Sequence, residues 1–275
     1  MTGPKTIESR SVRVQEASEV SDPRPAFRAY RAPREHGQAL IEPRLEAAGE
    51  LLRGNMAVAR SYGPGWESLR RTARDHLVRT ATEYTATYRD VSWFHREASE
   101  PIVMAGHQPE IFHPGVWFKN FALSEIAARW GAIPINLVVD NDVASGTSMR
   151  AITRDASSGR PRFVSVPYDS AAGGVPYEQR KILDRSLFDS FAQRYRDAVA
   201  GLVDDPCVDP LWRHAIEAVE RCGVAGCTLA QARHGLEGEL GLKTLEVPLG
   251  SLCRGSAFAE FLLSLIHISE PTRPF

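Results

Sequence analysis

The chain is short of several things, and each absence removes a class of function. No apolar run in its 275 residues approaches the roughly 18 that a membrane-crossing helix needs, so no membrane partner is expected. The formal net charge is −1, too small to draw the molecule towards nucleic acid or an acidic membrane surface. A basic stripe interleaved with aromatics is also missing, which leaves no footprint for nucleic-acid binding. Cysteine is scarce: Cys207, Cys222, Cys227 and Cys253 lack the spacing of a disulfide framework and suit reduced thiols. Cys222-x4-Cys227 has no second pair to complete a zinc site, so no metal ligands are assigned. The first residues, MTGPKTIESRSVRVQE, lack the apolar centre of a signal peptide, and the chain reads as cytoplasmic.

Several catalytic signatures are absent too. There is no P-loop, no HExxH and no G-x-S-x-G elbow. Gly235, Gly238 and Gly241 fall in a charged helix-to-strand passage. They do not form the strand-to-helix turn of a dinucleotide fingerprint. No internal repeat or low-complexity tract is found.

What is present is ordinary in bulk, 43% hydrophobic and 24% charged, and long enough for one large domain or two modest ones. Residues 1–33 are polar and rich in Pro and Arg; they read as loosely ordered, with one short strand at SVRVQ. Residues 34–98 read as an N-terminal helical element. Its first helix runs from Glu35 to about Asn55 and kinks or restarts at Pro43; Gly63-Pro64-Gly65 then breaks the chain before a helix through WESLRRTARDHLVRTATEYTATY.

Residues 99–262 read as a Rossmann-like α/β core. The apolar segment 101–106, a helix at 116–131 and the apolar segment 132–140 form a βαβ unit, hence a parallel sheet with a right-handed crossover. Both strands read as apolar throughout, the pattern of a sheet covered on both faces. RAIT (150–153) and RFVSVPY (162–168) read as further strands. Helices at about 186–203, 209–222 and 228–240 form an insert, then come a strand at KTLEVPL and a last helix at SAFAEFLL. Residues 263–273, LSLIHISEPTR, resemble the translation of a sequencing-library adaptor. Residues 263–275, His267 among them, are therefore set aside as a non-native tail, and the last helix is expected to be cut short there.

The chemistry-bearing stretch is GHQPEIFHPGVWFKNF, residues 106–121. In a parallel α/β sheet, ligands sit beyond the carboxyl ends of the strands. The first strand delivers His107, Gln108 and Glu110 to that rim, and the second delivers Asp140, Asn141 and Asp142. Gly106 and Gly115 permit close backbone approach, and the helix start at 116 offers free N–H groups to an anion. His107 and His113 can contact phosphate oxygens or move a proton, while Asp140 and Asp142 can hold an amine, a ribose or a metal. Lys119 lies one turn into the helix, within reach of an anion. Taken singly, His107, His113 and Asp140 read as loop hydrogen-bonders; taken together, the cluster reads as the functional site. Trp117, Phe118 and Phe121 read as core-facing. Tyr168-Asp169 and the 177–180 stretch read as plain surface loop in preference to a lid.

Residues 102–142 resemble the core segment of the bacillithiol biosynthesis cysteine-adding enzyme family. Gly106-His107-Gln108 matches its G-Q-Q-like turn, Lys119 its helix lysine, and Asp140-Asn141-Asp142 its Asp-His-Asp cluster. The resemblance implies a nucleotidyltransferase-like core, a C-terminal coiled coil for homodimerisation, and a small-molecule substrate. It implies an activity joining cysteine or another amino acid to an aminosugar acid with nucleotide assistance, ATP and Mg2+ being the cofactors to expect. Two departures stand out: His107 replaces a glutamine, and Asn141 replaces a histidine, removing a general base. A shorter likeness is to the WbqC-like family of sugar-pathway proteins. The remaining alternative is a non-catalytic nucleotide- or small-molecule-binding protein.

Overall fold

The computed structural model describes residues 29–31, 33–35, 37–110, 114–144, 146–171 and 173–269, the side chains of 266–269 excepted. The strand expected at residues 11–15 lies outside the described residues. The chain divides into two compact units, residues 1–42 and 43–275. In the first, Gly37 turns the chain at φ 78° and Gln38 Nε2 donates to Glu35 Oε2 at 2.6 Å.

The second unit opens with a 3-10 turn, Leu45–Ala47, and α1, Ala48–Arg60. The helix expected from Glu35 therefore begins only after Pro43. A proline pushes the residue before it out of helical backbone and carries no N–H of its own, so the helix forms beyond it. Gly63 (φ 84°) and Pro64 at the first helical position then start α2, Pro64–Ala86.

The remaining elements are β1 (Ile102–His107), α3 (Pro114–Trp130), β2 (Ile133–Val138), β3 (Ser148–Arg154) and β4 (Pro161–Pro167). After them come α4 (Arg185–Asp189), α5 (Phe191–Val199), α6 (Val208–Cys222), α7 (Ala225–Glu239), β5 (Leu245–Pro248), α8 (Leu249–Cys253) and α9 (Ser256–Ser269). The last of these continues across residue 263. Among the described residues no helix is long and apolar enough to cross a membrane.

The fold is α/β. Strands β1, β2 and β5 form a parallel sheet with β2 in the centre, and β3 and β4 form a separate antiparallel ribbon. Register pairs Ile102 with Ile133 and Ile135 with Leu245, so alternate residues of all three strands share a face. On that face Ile133, Ile135, Leu245 and Val247 pack against Val78 and Ala81 of α2. This helix covers β2 and β5 but leaves Met104 of β1 48% exposed. The strands are accordingly not apolar and covered throughout. Met104 lies open on one face, and Asn136 interrupts β2 on the other.

A second core gathers α4–α7 against the β3–β4 ribbon. Trp212 stacks between Phe188 and Phe191, with ring centroids 4.6 and 4.2 Å away, and its Nε1 donates to Phe188 O at 2.7 Å. The corner between α6 and α7 turns on Gly223 (φ 66°), placing the Cα atoms of Cys222 and Cys227 6.1 Å apart and joined by a disulfide. The expectation of four reduced thiols is thus corrected: only Cys207 and Cys253 are free. The cysteine argument for a reducing compartment falls with it.

The polar face of the sheet carries a buried charge network. Arg233 of α7 pairs with Glu246 of β5 and lies 3.6 Å from Glu237 Oε1. Asn136, in register with Glu246, donates from Nδ2 to Glu246 Oε1 at 2.6 Å. From α3, Trp117 Nε1 and Asn120 Nδ2 donate to Glu237 Oε1 at 2.8 and 2.7 Å. Tyr88 places its hydroxyl 2.7 Å from His234 Nδ1 and 3.3 Å from Glu246 Oε2, while His234 Nε2 lies 3.0 Å from Thr244 O. Burial, with Arg89 and Arg233 adding to it, holds His234 well below its ordinary pKa, so the imidazole is neutral.

Removing one partner of such a network strands the others, so Arg233→Ala is expected to lower the unfolding free energy by about 3–5 kcal/mol. Burial, opposed by Arg233 and reinforced by Glu237, pushes the Glu246 carboxyl up to about 7. A carboxyl whose folded pKa is raised contributes stability that is complete below its unfolded value, 4.5, and lost as pH rises through about 7. Urea melts across that window should therefore show a decline in the parent that Glu246→Gln lacks. Parallel curves for the two proteins would overturn the assignment.

Candidate functional site

The parallel register sets the three carboxyl ends side by side: His107 opposite Val138, and Val138 opposite Pro248. The residues just past each strand are therefore brought to one rim. Gln108, immediately after β1, donates from Nε2 to Asp142 Oδ2 at 2.8 Å, bridging 34 residues of sequence. The other oxygen of Asp142 accepts the Val143 N–H at 2.8 Å. The Gln108 amide first, and the Val143 N–H second, hold the Asp142 carboxyl below the usual carboxylate range. Asp142 is thus an ionised, solvent-facing group with a fixed orientation.

Asp140 has a different setting. It is buried, and its Oδ1 accepts the Gly250 N–H at 2.9 Å, where β5 passes into α8. Its carbonyl accepts the Glu178 N–H at 2.9 Å, as the Asp142 carbonyl accepts that of Tyr177 at 3.0 Å. A Cβ at position 250 would lie 2.6 Å from Glu178 Oε2 and 3.5 Å from Asp140 Oδ1. A side chain here would have to move the Glu178 carboxylate aside.

The loop 176–180 is consequently structural. Tyr177, Arg180, Tyr168 and Asp169 are all buried, which corrects the surface-loop expectation. Arg180 Nη1 donates to Gly146 O at 2.7 Å, and Asp169 Oδ1 accepts the N–H groups of Leu183 and Asp184 at 2.9 and 2.8 Å. The backbone turns inward because these buried side chains satisfy polar groups that a surface loop would leave to water.

Glu110 accepts the Tyr177 hydroxyl. Burial, then the Glu110 bond, raises the Tyr177 phenol far above its ordinary pKa, keeping it a donor. Both line a cavity of about 910 Å3 that also meets Gly146, Arg150, Phe163 and Tyr168. Arg150 lies over the Phe163 ring, 4.3 Å from its centroid. The opening thus offers a carboxylate, a guanidinium and aromatic walls.

The other expected residues are more dispersed. His107 ends β1, half-buried, with Nδ1 3.3 Å from Gln108 O. Gly106 precedes it on the opposite face. Asn141 is exposed between the two aspartates, and Gly115 and Lys119 are exposed on α3. His113 lies outside the described residues. Of the three aromatics expected in the core, Trp117 packs there, while Phe118 is 42% exposed. Glu178, Tyr177 and Gly250 at the rim, and Arg233, His234, Glu237 and Glu246 beneath it, were not expected from the sequence. The lone Asn136 inside INLVV was the signal that a polar partner lay on the adjacent strand.

No protein-family model matches the chain, and no curated protein does. The class defined by the fold is an α/β protein; its ligand-sized opening is walled mainly by the β3–β4 ribbon and α5, and Glu110 joins it from the segment after β1.

If the Gln108 amide holds Asp142 ionised, Gln108→Ala should raise the Asp142 pKa towards the ordinary carboxylate range, read from carboxyl carbon shifts in an NMR titration. Unchanged titration would show that the 2.8 Å bond does not govern this carboxylate.

Proposed function

We propose that this chain is a group-transfer enzyme or ligase that joins an amine or thiol to an activated carboxyl of a small anionic molecule on a Rossmann-like core. The observation that carries the reading is the Gln108–Asp142 bond, which unites two strand tips; Glu110, two residues beyond Gln108, lines a cavity of ligand size. The likeness of residues 102–142 to the cysteine-adding family points to the same chemistry.

In this reading Asp142 holds the incoming amine, since it is ionised and open. Gln108 orients that carboxylate, and His107 meets the oxyanion or moves a proton. Asp140 stands behind them, holding the start of α8 in place. Glu110, gripped by Tyr177, meets a polar group of the substrate inside the cavity. Among the described residues no group of three or more His, Cys, Asp or Glu is set to hold a metal ion.

One observation favours a second reading, a binding protein without turnover: Asn141 stands where the family carries its imidazole, and asparagine cannot act as a base. Calorimetric titration with a panel of nucleotides and aminosugar acids, then an assay for turnover of whatever binds, separates the two. The parent should bind one of the panel, and His107→Ala with Asp142→Ala should weaken that by at least about tenfold. Equal binding by parent and double variant would end the site assignment, and binding without turnover would select the second reading.

A further inference from the structure

We infer that the cleft between α1 and α2 is a second binding site, taking a small oxyanion of the phosphate or carboxylate class on the guanidinium groups of Arg60, Arg70 and Arg71. It is separate from the rim described above. Pro101 and Ile102 line it at the amino end of β1, whereas the rim lies past His107. Six residues of strand put about 20 Å between the two.

The cleft exists because α1 rests on α3. Its Gly49 backbone lies flat against the Trp130 ring, where a Cβ would come within 2.6 Å. The next turns of α1, through Leu52, Asn55, Met56 and Ala59, therefore look across open space at α2. That space is about 430 Å3, within the range of small-molecule sites.

Its walls carry four arginines, Arg60, Arg70, Arg71 and Arg74, against Glu67, Asp75 and Glu97. Arg74 forms the floor: its Nε donates to Ala98 O at 2.8 Å and its Nη2 to Glu100 O. Two neutral carbonyls thus fix the guanidinium without cancelling its charge. Burial and then the neighbouring charge of Arg70 lower the Arg74 pKa, while Asp75 and Glu67 act against them. Arg70 is bound at one end, Nη2 to Glu67 Oε2 at 2.6 Å. Its Nε is sealed from solvent with no acceptor. Among the described residues, Arg60, Arg71 and Arg74 have no carboxylate within ion-pairing distance, Glu67 being the one acid of this wall bonded to an arginine of the cleft.

An oxyanion seated between the helices would answer the charges of Arg60 and Arg71 at once and meet the open end of the Arg70 guanidinium. Guanidinium forks suit both phosphate and carboxylate oxygens.

Calorimetric titration of the full chain with pyrophosphate and, separately, citrate at about 0.15 M ionic strength tests this. Saturable one-site binding of either anion is expected, and the anion preferred assigns the source. Arg60→Gln and Arg71→Gln change exposed side chains that hold no other element, and each should weaken binding by about tenfold. Arg70→Lys keeps the charge, loses the guanidinium fork and should weaken it too. Asp142→Ala should bind as the parent does, which keeps this result separate from the proposed function. Failure of the parent to bind either anion, binding untouched by the three arginine variants, or equal loss in Asp142→Ala would overturn the inference.

Discussion

Arg233 and the two carboxylates it meets, Glu246 and Glu237, form the contact on which the rest of the second unit is hung. Charges cost several kcal/mol each to take out of water, and a sheet face lined by valines would have been cheaper. The compensation is specificity of position. Glu246 belongs to β5, Arg233 and Glu237 to α7, and the amides that complete Glu237 come from α3 through Trp117 and Asn120. Asn136 adds β2, and Tyr88 and Thr85 add α2 and the segment after it, with Thr85 Oγ1 accepting the Glu246 N–H at 2.9 Å. Apolar packing tolerates sliding by a residue; a buried ion pair with directed hydrogen bonds does not. The register of β5 against β2 is fixed in this way.

That register matters because the rim is made of the residues immediately after each strand. A one-residue slip of β5 would carry Gly250 away from the Asp140 carboxylate and bring a side chain into the space beside Glu178. The network therefore acts on the site from beneath, without touching it. It also explains why the helices α6 and α7, distant in sequence from residues 106–142, belong to the same functional unit: α7 supplies Arg233, and α6, packed along it and bridged by Cys222–Cys227, holds α7 in place.

Much of this architecture was legible in the sequence, for identifiable reasons. The βαβ unit announced itself by two short apolar runs around a helix of the right length, and the rim residues could be read from where those runs ended. Gln108 and Asp142 met because parallel strands must deliver their tips to the same edge. The network beneath was not legible. Arg233, Glu237 and Glu246 carry the same letters as any solvated face, and only register, which a sequence does not display, turns Glu246 inward beside Asn136. The loop 176–180 failed to show itself for a similar reason: Gly-Gly and charged residues signal a surface passage, and the burial of Arg180 depends on carbonyls of Ala144 and Gly146 supplied from elsewhere. The disulfide was invisible because spacing alone does not reveal that Gly223 folds the chain back on itself.

The two aspartates of the rim, two residues apart, show how far identical side chains can diverge in this setting. Asp140 is buried and its carboxylate is occupied by the backbone of Gly250, so its charge is already answered inside the fold. Asp142 is exposed and is answered by Gln108 and Val143, which fix its direction but leave it facing solvent. A group that is to meet a substrate must be oriented beforehand yet still accessible. Asp142 meets both conditions. Asp140 meets the first alone, and its bond to the Gly250 N–H fixes the passage from β5 into α8. The same division runs through the pair Glu110 and Tyr177, where a buried phenol steadies a carboxylate that lines the cavity. In each case the interior residue supplies geometry and the outer one supplies charge.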